Sequence, residues 1–157
     1  ECALGLQQVK AHAHRLEIVR SICGATVIDD TYNANPASMI AGLKTLSQIG
    51  ARHRKIAILG DMLELGASEV AEHAELGRQA AAHAEVIAFI GQRCRNSFEA
   101  VEKTSGAHAL YFEAMSDLIS WLEKEVTPDD FVFVKGSRGM KMERVVAALT
   151  ANTPGGH

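Results

Sequence analysis

The stretch that decides the fold is Ala25-Thr26-Val27-Ile28-Asp29-Asp30-Thr31-Tyr32-Asn33-Ala34-Asn35-Pro36. Its first four residues, Ala25 to Ile28, form an apolar run of strand length, rich in β-branched side chains as buried parallel strands are. Its last two place an N-cap, Asn35, directly before a proline at the first helical position. Met39, Leu43 and Leu46 then recur on one helical face. A buried strand therefore passes through a polar loop into a helix.

Outward from this unit the pattern repeats. Further apolar runs lie at Arg15 to Val19, Ile56 to Leu59, Val86 to Ile90, Ala107 to Phe112 and Phe131 to Val134. Helical patterns follow at about Ser68 to His83, with Val70, Ala74, Gly77 and Ala81 on one face and Ser68 as cap, and at Gln92 to Lys103. Two more run from Ser116 to Glu125 and from Met140 to Thr150. Alternation of this kind predicts βαβ units with right-handed crossovers. The expected fold is α/β: a Rossmann-like three-layer domain with a mainly parallel sheet of about six strands, covered by helices on both faces. Residues 15–151 should form it, with 1–14 a tail or linker and 152–157 a flexible C-terminal tail.

Composition agrees with one domain of this class. The 157 residues are 47% apolar and 22% charged. A chain this size buries roughly 70% of the surface its unfolded form exposes, so no disulfide or metal is needed for a core. The net charge of -3 provides no basic footprint for nucleic acid or anionic membranes. No apolar stretch approaches a membrane span, and no signal-peptide pattern opens the chain, so neither membrane insertion nor secretion is expected. The expected location is cytoplasmic. Cys2, Cys23 and Cys94 read as reduced thiols without a metal cluster, and the seven histidines as scattered surface or half-buried groups.

Ligands of such sheets bind beyond the carboxyl ends of the strands. Three loops there carry chemistry. In the first, Asp29 and Asp30 point to opposite faces, so one at most aims at the crevice, where a carboxylate accepts from ribose hydroxyls or ligates Mg²⁺ through water. The second, Gly60 to Gly66, offers Asp61 and Glu64. The third, Lys135-Gly136-Ser137-Arg138-Gly139, sets two cations beside glycines at a helix start and suits a carboxylate or phosphate. It is not a Walker A loop, and no GxGxxG follows any strand. Residue types alone leave plain βα turns open. They also leave open a stand-alone receiver-like or small-ligand-binding α/β module, using Asp29/Asp30, Asp61 and Lys135. Against the receiver, only one helix and one strand fit between Asp30 and Asp61.

Three stretches in order and spacing sharpen this: Asp29-Asp30-Thr31-Tyr32-Asn33-Ala34-Asn35-Pro36-Ala37-Ser38, Ile58-Leu59-Gly60-Asp61-Met62-Leu63-Glu64-Leu65-Gly66, and Val134-Lys135-Gly136-Ser137-Arg138 followed by Met142-Glu143. Together they resemble the C-terminal domain of Mur ligases, in particular the branch that adds D-alanyl-D-alanine to UDP-N-acetylmuramoyl-tripeptide. Arg15-Leu16-Glu17 resembles that domain's first strand. The resemblance implies a three-domain ATP-dependent ligase of peptidoglycan synthesis. ATP phosphorylates the tripeptide carboxylate, and the dipeptide amine displaces the phosphate. It implies that ATP and Mg²⁺ are held mainly by a central domain, and UDP by an N-terminal one, both missing from this sequence. The chain alone is then expected to be inactive. For the residues here it implies nucleotide contacts at Asp30, Tyr32, Asn33 and Asn35, and amino-substrate contacts at Asp61, Lys135, Ser137, Arg138 and Glu143. No catalytic residue and no metal ligand is expected in this part.

Overall fold

The computed structural model describes residues 16–104 and 107–150. The expected tails, together with Cys2, His12 and His14, lie outside them. Among the described residues six strands form one sheet: β1 (Glu17–Arg20), β2 (Thr26–Asp30), β3 (Lys55–Gly60), β4 (Val86–Ile90), β5 (His108–Phe112) and β6 (Phe131–Lys135). Five α-helices accompany them: α1 (Pro36–Ile49), α2 (Glu69–His83), α3 (Cys94–Thr104), α4 (Met115–Glu125) and α5 (Glu143–Thr150). The strand order is β1-β2-β6-β3-β4-β5, with β1 antiparallel to β2 and every other pair parallel.

The order explains the layering. From β2 the chain steps through α1, α2 and α3 to β3, β4 and β5 in one direction across the sheet. Right-handed crossovers then put those three helices on one face. After β5 it doubles back through α4 and inserts β6 between β2 and β3, so α4 and α5 cover the other face. Two separate cores result. Leu43 and Leu46 of α1 and Leu76 of α2 pack on Phe89 and Phe133, whereas Leu118 and Leu122 of α4 and Val145 of α5 pack on Ile58 and Val134. β6 runs parallel to both neighbours, but the helix that follows it packs on the opposite face from the helices that follow β2 and β3. The carboxyl ends of β2, β6 and β3 therefore border the crevice.

Local signals decide the element ends. Asn35 Oδ1 accepts from Ser38 N at 2.8 Å, and Ser38 Oγ accepts from Asn35 N at 3.1 Å, a reciprocal cap on α1. Ser68 precedes α2 as expected but caps nothing: its hydroxyl donates back to Leu65 O. Glu69 and Glu72 supply the favourable charge in that first turn instead. The expected apolar face of α2 is rotated. Val70 is 59% exposed, and His73, Leu76, Gly77 and Ala80 are buried. The last helix starts at Glu143, because Lys141 at φ 55° breaks the chain between a 3-10 turn, Arg138–Met140, and α5.

Candidate functional site

Two clefts open at the carboxyl ends of β2, β6 and β3. The first, about 370 Å³, is lined by Asp30, Tyr32, Asn33, Asn35 and Lys135, with Leu16 and the first turns of α1 behind them. The second, about 440 Å³, lies between Leu63-Glu64-Leu65 and Ser137-Arg138-Gly139. Asn33, Ala34 and Asn35 line both and form the wall between them. A smaller recess of about 120 Å³ is bounded by Thr31, Tyr32, Arg138 and Glu143.

The four expected nucleotide contacts therefore share one cleft. Asp30 and Lys135 are register partners on β2 and β6, and Lys135 Nζ lies 3.0 Å from Asp30 Oδ2 with their side chains 3% and 7% exposed. Lys135 also donates to Asn33 O at 2.7 Å. Asp29, on the opposite side of the strand, accepts from the amide and hydroxyl of Thr31. Asn35 uses its oxygen as the helix cap and lines the cleft. The Tyr32 ring is 40% exposed, and the Arg138 guanidinium lies over it at 5.3 Å.

The five expected amino-substrate contacts divide. Ser137 and Arg138 line the second cleft, and Arg138 is exposed. Glu143 lies in the recess beyond Tyr32. Lys135 belongs to the first cleft, where its charge is already matched by Asp30. Asp61 lines none of the three: its carboxylate is buried beneath the start of α3, accepting from Cys94 N at 2.9 Å and facing Arg93 at 3.4 Å. So enclosed, it braces the start of α3. In the glycine loop after β6, Ser137 N donates to Asp61 O in the loop after β3, and Met140 N and Lys141 N donate to Ser137 O and Arg138 O, so these three amides are engaged within the protein. Gly136 is required for a close approach there, since a Cβ would stand 2.7 Å from Met142 Cγ and 3.2 Å from the Gly60 Cα.

Sequence reasoning missed one cluster. Asp61, His73 and Cys94, scattered along the chain, bring a carboxylate, a ring nitrogen and a thiol within 4.8 Å of one another. The histidines were expected at or near the surface, yet His73 is fully buried. The signal lay in its helical spacing from Leu76 and Ala80. The cluster is a hydrogen-bonded one. Both His73 nitrogens are engaged, Nε2 by Met62 N at 3.0 Å and Nδ1 by Glu69 O at 2.8 Å. Burial, with Asp61 alongside, pushes the Cys94 thiol well above its usual pKa.

A doubly wound sheet with paired polar clefts at its reversal point defines an α/β domain of Rossmann-like type. The sequence profile of the Mur ligase glutamate ligase domain matches residues 14–138, and the chain belongs to the Mur ligase family. It is 31% identical over 157 residues to the UDP-N-acetylmuramoyl-tripeptide:D-alanyl-D-alanine ligase of Bacillus subtilis, covering 95% of this chain and 33% of that protein. The Escherichia coli ligase of the same name is 32% identical over 151 residues, covering 94% and 32%. Among solved structures, MurF from Acinetobacter baumannii superposes with a TM-score of 0.72 at 33% identity, over 93% of this chain and 32% of that one. MurF from Thermotoga maritima in complex with ADP shares the fold at a TM-score of 0.72 and 24% identity, over 87% and 30%. The chain spans about a third of the length of the relatives it matches.

Proposed function

We propose that this chain is the amino-substrate-binding and ATP-closing domain of a cytoplasmic ligase that adds D-alanyl-D-alanine to UDP-N-acetylmuramoyl-tripeptide for peptidoglycan. The wall shared by the two clefts carries this reading, because occupants of the two would lie side by side. The first cleft fits a nucleoside: an exposed aromatic ring offers stacking, and Asp30, Asn33 and Asn35 supply acceptors and donors for a base and ribose. It does not fit the triphosphate. No Walker loop is present in the sequence, and Asp29, Asp30 and Asp61 are already bonded within the chain. Phosphates and Mg²⁺ are therefore assigned to the central domain of the full-length enzyme, where ATP would supply the phosphoryl group that activates the tripeptide.

In the second cleft Arg138 presents a forked donor suited to the dipeptide carboxylate. Ser137 holds the cleft wall, and Glu143, in the recess it shares with Tyr32 and Arg138, is assigned to the dipeptide ammonium. Lys135 and Asp61 act as supports. Catalysis by such a domain is positioning: it brings the amine against the activated carboxyl group and closes water out. The receiver-like alternative needs an accessible phosphoacceptor, and Asp61 is 3% exposed.

Removing a charge-assisted contact that holds substrate typically costs about tenfold or more. Arg138→Ala in the full-length ligase should raise the KM for D-alanyl-D-alanine by about that factor while leaving the KM for ATP within about twofold. An unchanged dipeptide KM would move the carboxylate elsewhere. The 157-residue chain alone should show no ATP hydrolysis, and activity that persists through purification would sink the domain assignment.

A further inference from the structure

The loop from Asp61 to Gly66 supplies one wall of the second cleft through Leu63, Glu64 and Leu65. Its shape is unusual, with Glu64 at φ 66° and Gly66 at φ 63°. A non-glycine residue there persists only where surrounding contacts over-determine the backbone. Those contacts are visible. Leu63 N donates to Ser137 Oγ at 2.8 Å, and the preceding amide, Met62 N, donates to His73 Nε2 at 3.0 Å. Two consecutive amides are thus held by side chains from two other elements, the loop after β6 and α2.

The ring can perform this task in one form only. A ring nitrogen beside an N–H must offer its lone pair, and one beside a carbonyl must carry the proton. Met62 N and Glu69 O together select the neutral tautomer protonated at Nδ1. His73 is fully buried and lines none of the clefts, so its effect on a ligand passes through the loop it holds.

We propose that His73 is a positioning residue for the amino-substrate cleft: by accepting from Met62 N it fixes the direction in which Leu63, Glu64 and Leu65 leave β3. This rests on the second cleft being the amino-substrate site. Loss of one buried acceptor corresponds to about a tenfold effect. In the full-length ligase, His73→Ala should raise the KM for D-alanyl-D-alanine by about that factor, with the KM for ATP within about twofold. His73→Gln, whose side-chain oxygen can accept from Met62 N, should recover most of the loss.

Equal changes in both KM values, or no recovery in a His73→Gln enzyme whose unfolding midpoint matches wild type, would reduce His73 to a packing residue and overturn the proposal. Amide exchange in the 157-residue chain reads the clamp without any substrate. Met62 N–H should exchange faster in His73→Ala and regain protection in His73→Gln, and unchanged Met62 protection in His73→Ala overturns the clamp. Should Arg138→Ala leave the dipeptide KM unaltered while Met62 exchange responds as stated, the cleft assignment fails and the clamp stands.

Discussion

Ion pairs occupy both ends of the central strands, half-buried at one and buried at the other, and their surroundings differ. At the amino ends Arg54, just before β3, donates Nε and Nη2 to Asp130 at 3.0 and 2.7 Å, and Nη1 to Glu125 at 2.8 Å. It also reaches Glu125 O at 2.9 Å, while Thr127 N donates to Asp130. This ties the α4–β6 connection to β3. At the carboxyl ends Lys135 meets Asp30 and Asn33 O, and the same three residues line a cleft of about 370 Å³. One network fastens chain segments to each other. The other fastens a loop that also faces space large enough for a ligand. Buried charge by itself therefore does not mark function, and what distinguishes the two ends is the cleft beside the charge.

Removing each cation in turn should separate the two ends. Lys135→Met leaves the Asp30 carboxylate, 7% exposed, without its ion-pair partner and with only the Leu16 amide beside it, and breaking such a pair costs about 3–4 kcal/mol. Urea unfolding of the chain should show that loss as a lower midpoint at constant slope. Adding Asp30→Asn should restore a large part of it, because the uncompensated charge is then gone. Were Lys135→Met nearly neutral, the bond that Asp30 Oδ1 accepts from Leu16 N at 3.3 Å would be enough to hold it. The cleft would then be less rigid than the ion pair implies.

Arg54→Met comes next. The guanidinium is 34% exposed, so solvent screens part of what it supplies, and the expected cost is about 2 kcal/mol. In the full-length ligase the two ends should separate clearly. Arg54→Met should lower the melting temperature and leave both KM values unchanged, whereas Lys135→Met should also weaken nucleotide binding. A raised KM for ATP in Arg54→Met would erase the distinction between a fastening end and a binding end.

The sequence revealed these ends unequally. Strand-length runs marked all six strands, because β3 and β4 are buried on both faces and need no polar alternation. The cap at Asn35 and Pro36 was legible because it is local. Insertion of β6 between β2 and β3 was not, since strand order depends on partners distant in sequence. For the same reason, adjacent polar loops suggested that Lys135 would face the substrate beside Arg138, when register sets it opposite Asp30. The rotated face of α2 has a different cause. Alanines on every side of that helix provide little hydrophobic contrast, so Val70 seemed to mark the core and His73 was passed over. For Asp61, spacing places a residue at a strand end without saying which way its side chain turns, and the carboxylate turns to the start of α3.

The smallest effect expected at the amino end is its response to acid. Burial opposes ionisation of Asp130, but hydrogen bonds from Arg54 and from Thr127 N outweigh it and hold the carboxyl below its ordinary value of 3.8. A carboxyl group depressed on folding stabilises the protein above its unfolded pKa, and that contribution disappears as pH falls through the lower, folded value. In Arg54→Met the guanidinium is absent, so burial faces less opposition and the carboxyl rises. The stability gap between wild type and Arg54→Met should therefore be constant above about pH 5 and narrow as the pH falls below 3.8. Urea midpoints measured across that range test it. A gap that stays constant to the lowest pH at which the chain folds would mean that Arg54 contributes through packing of its stem rather than through its charge.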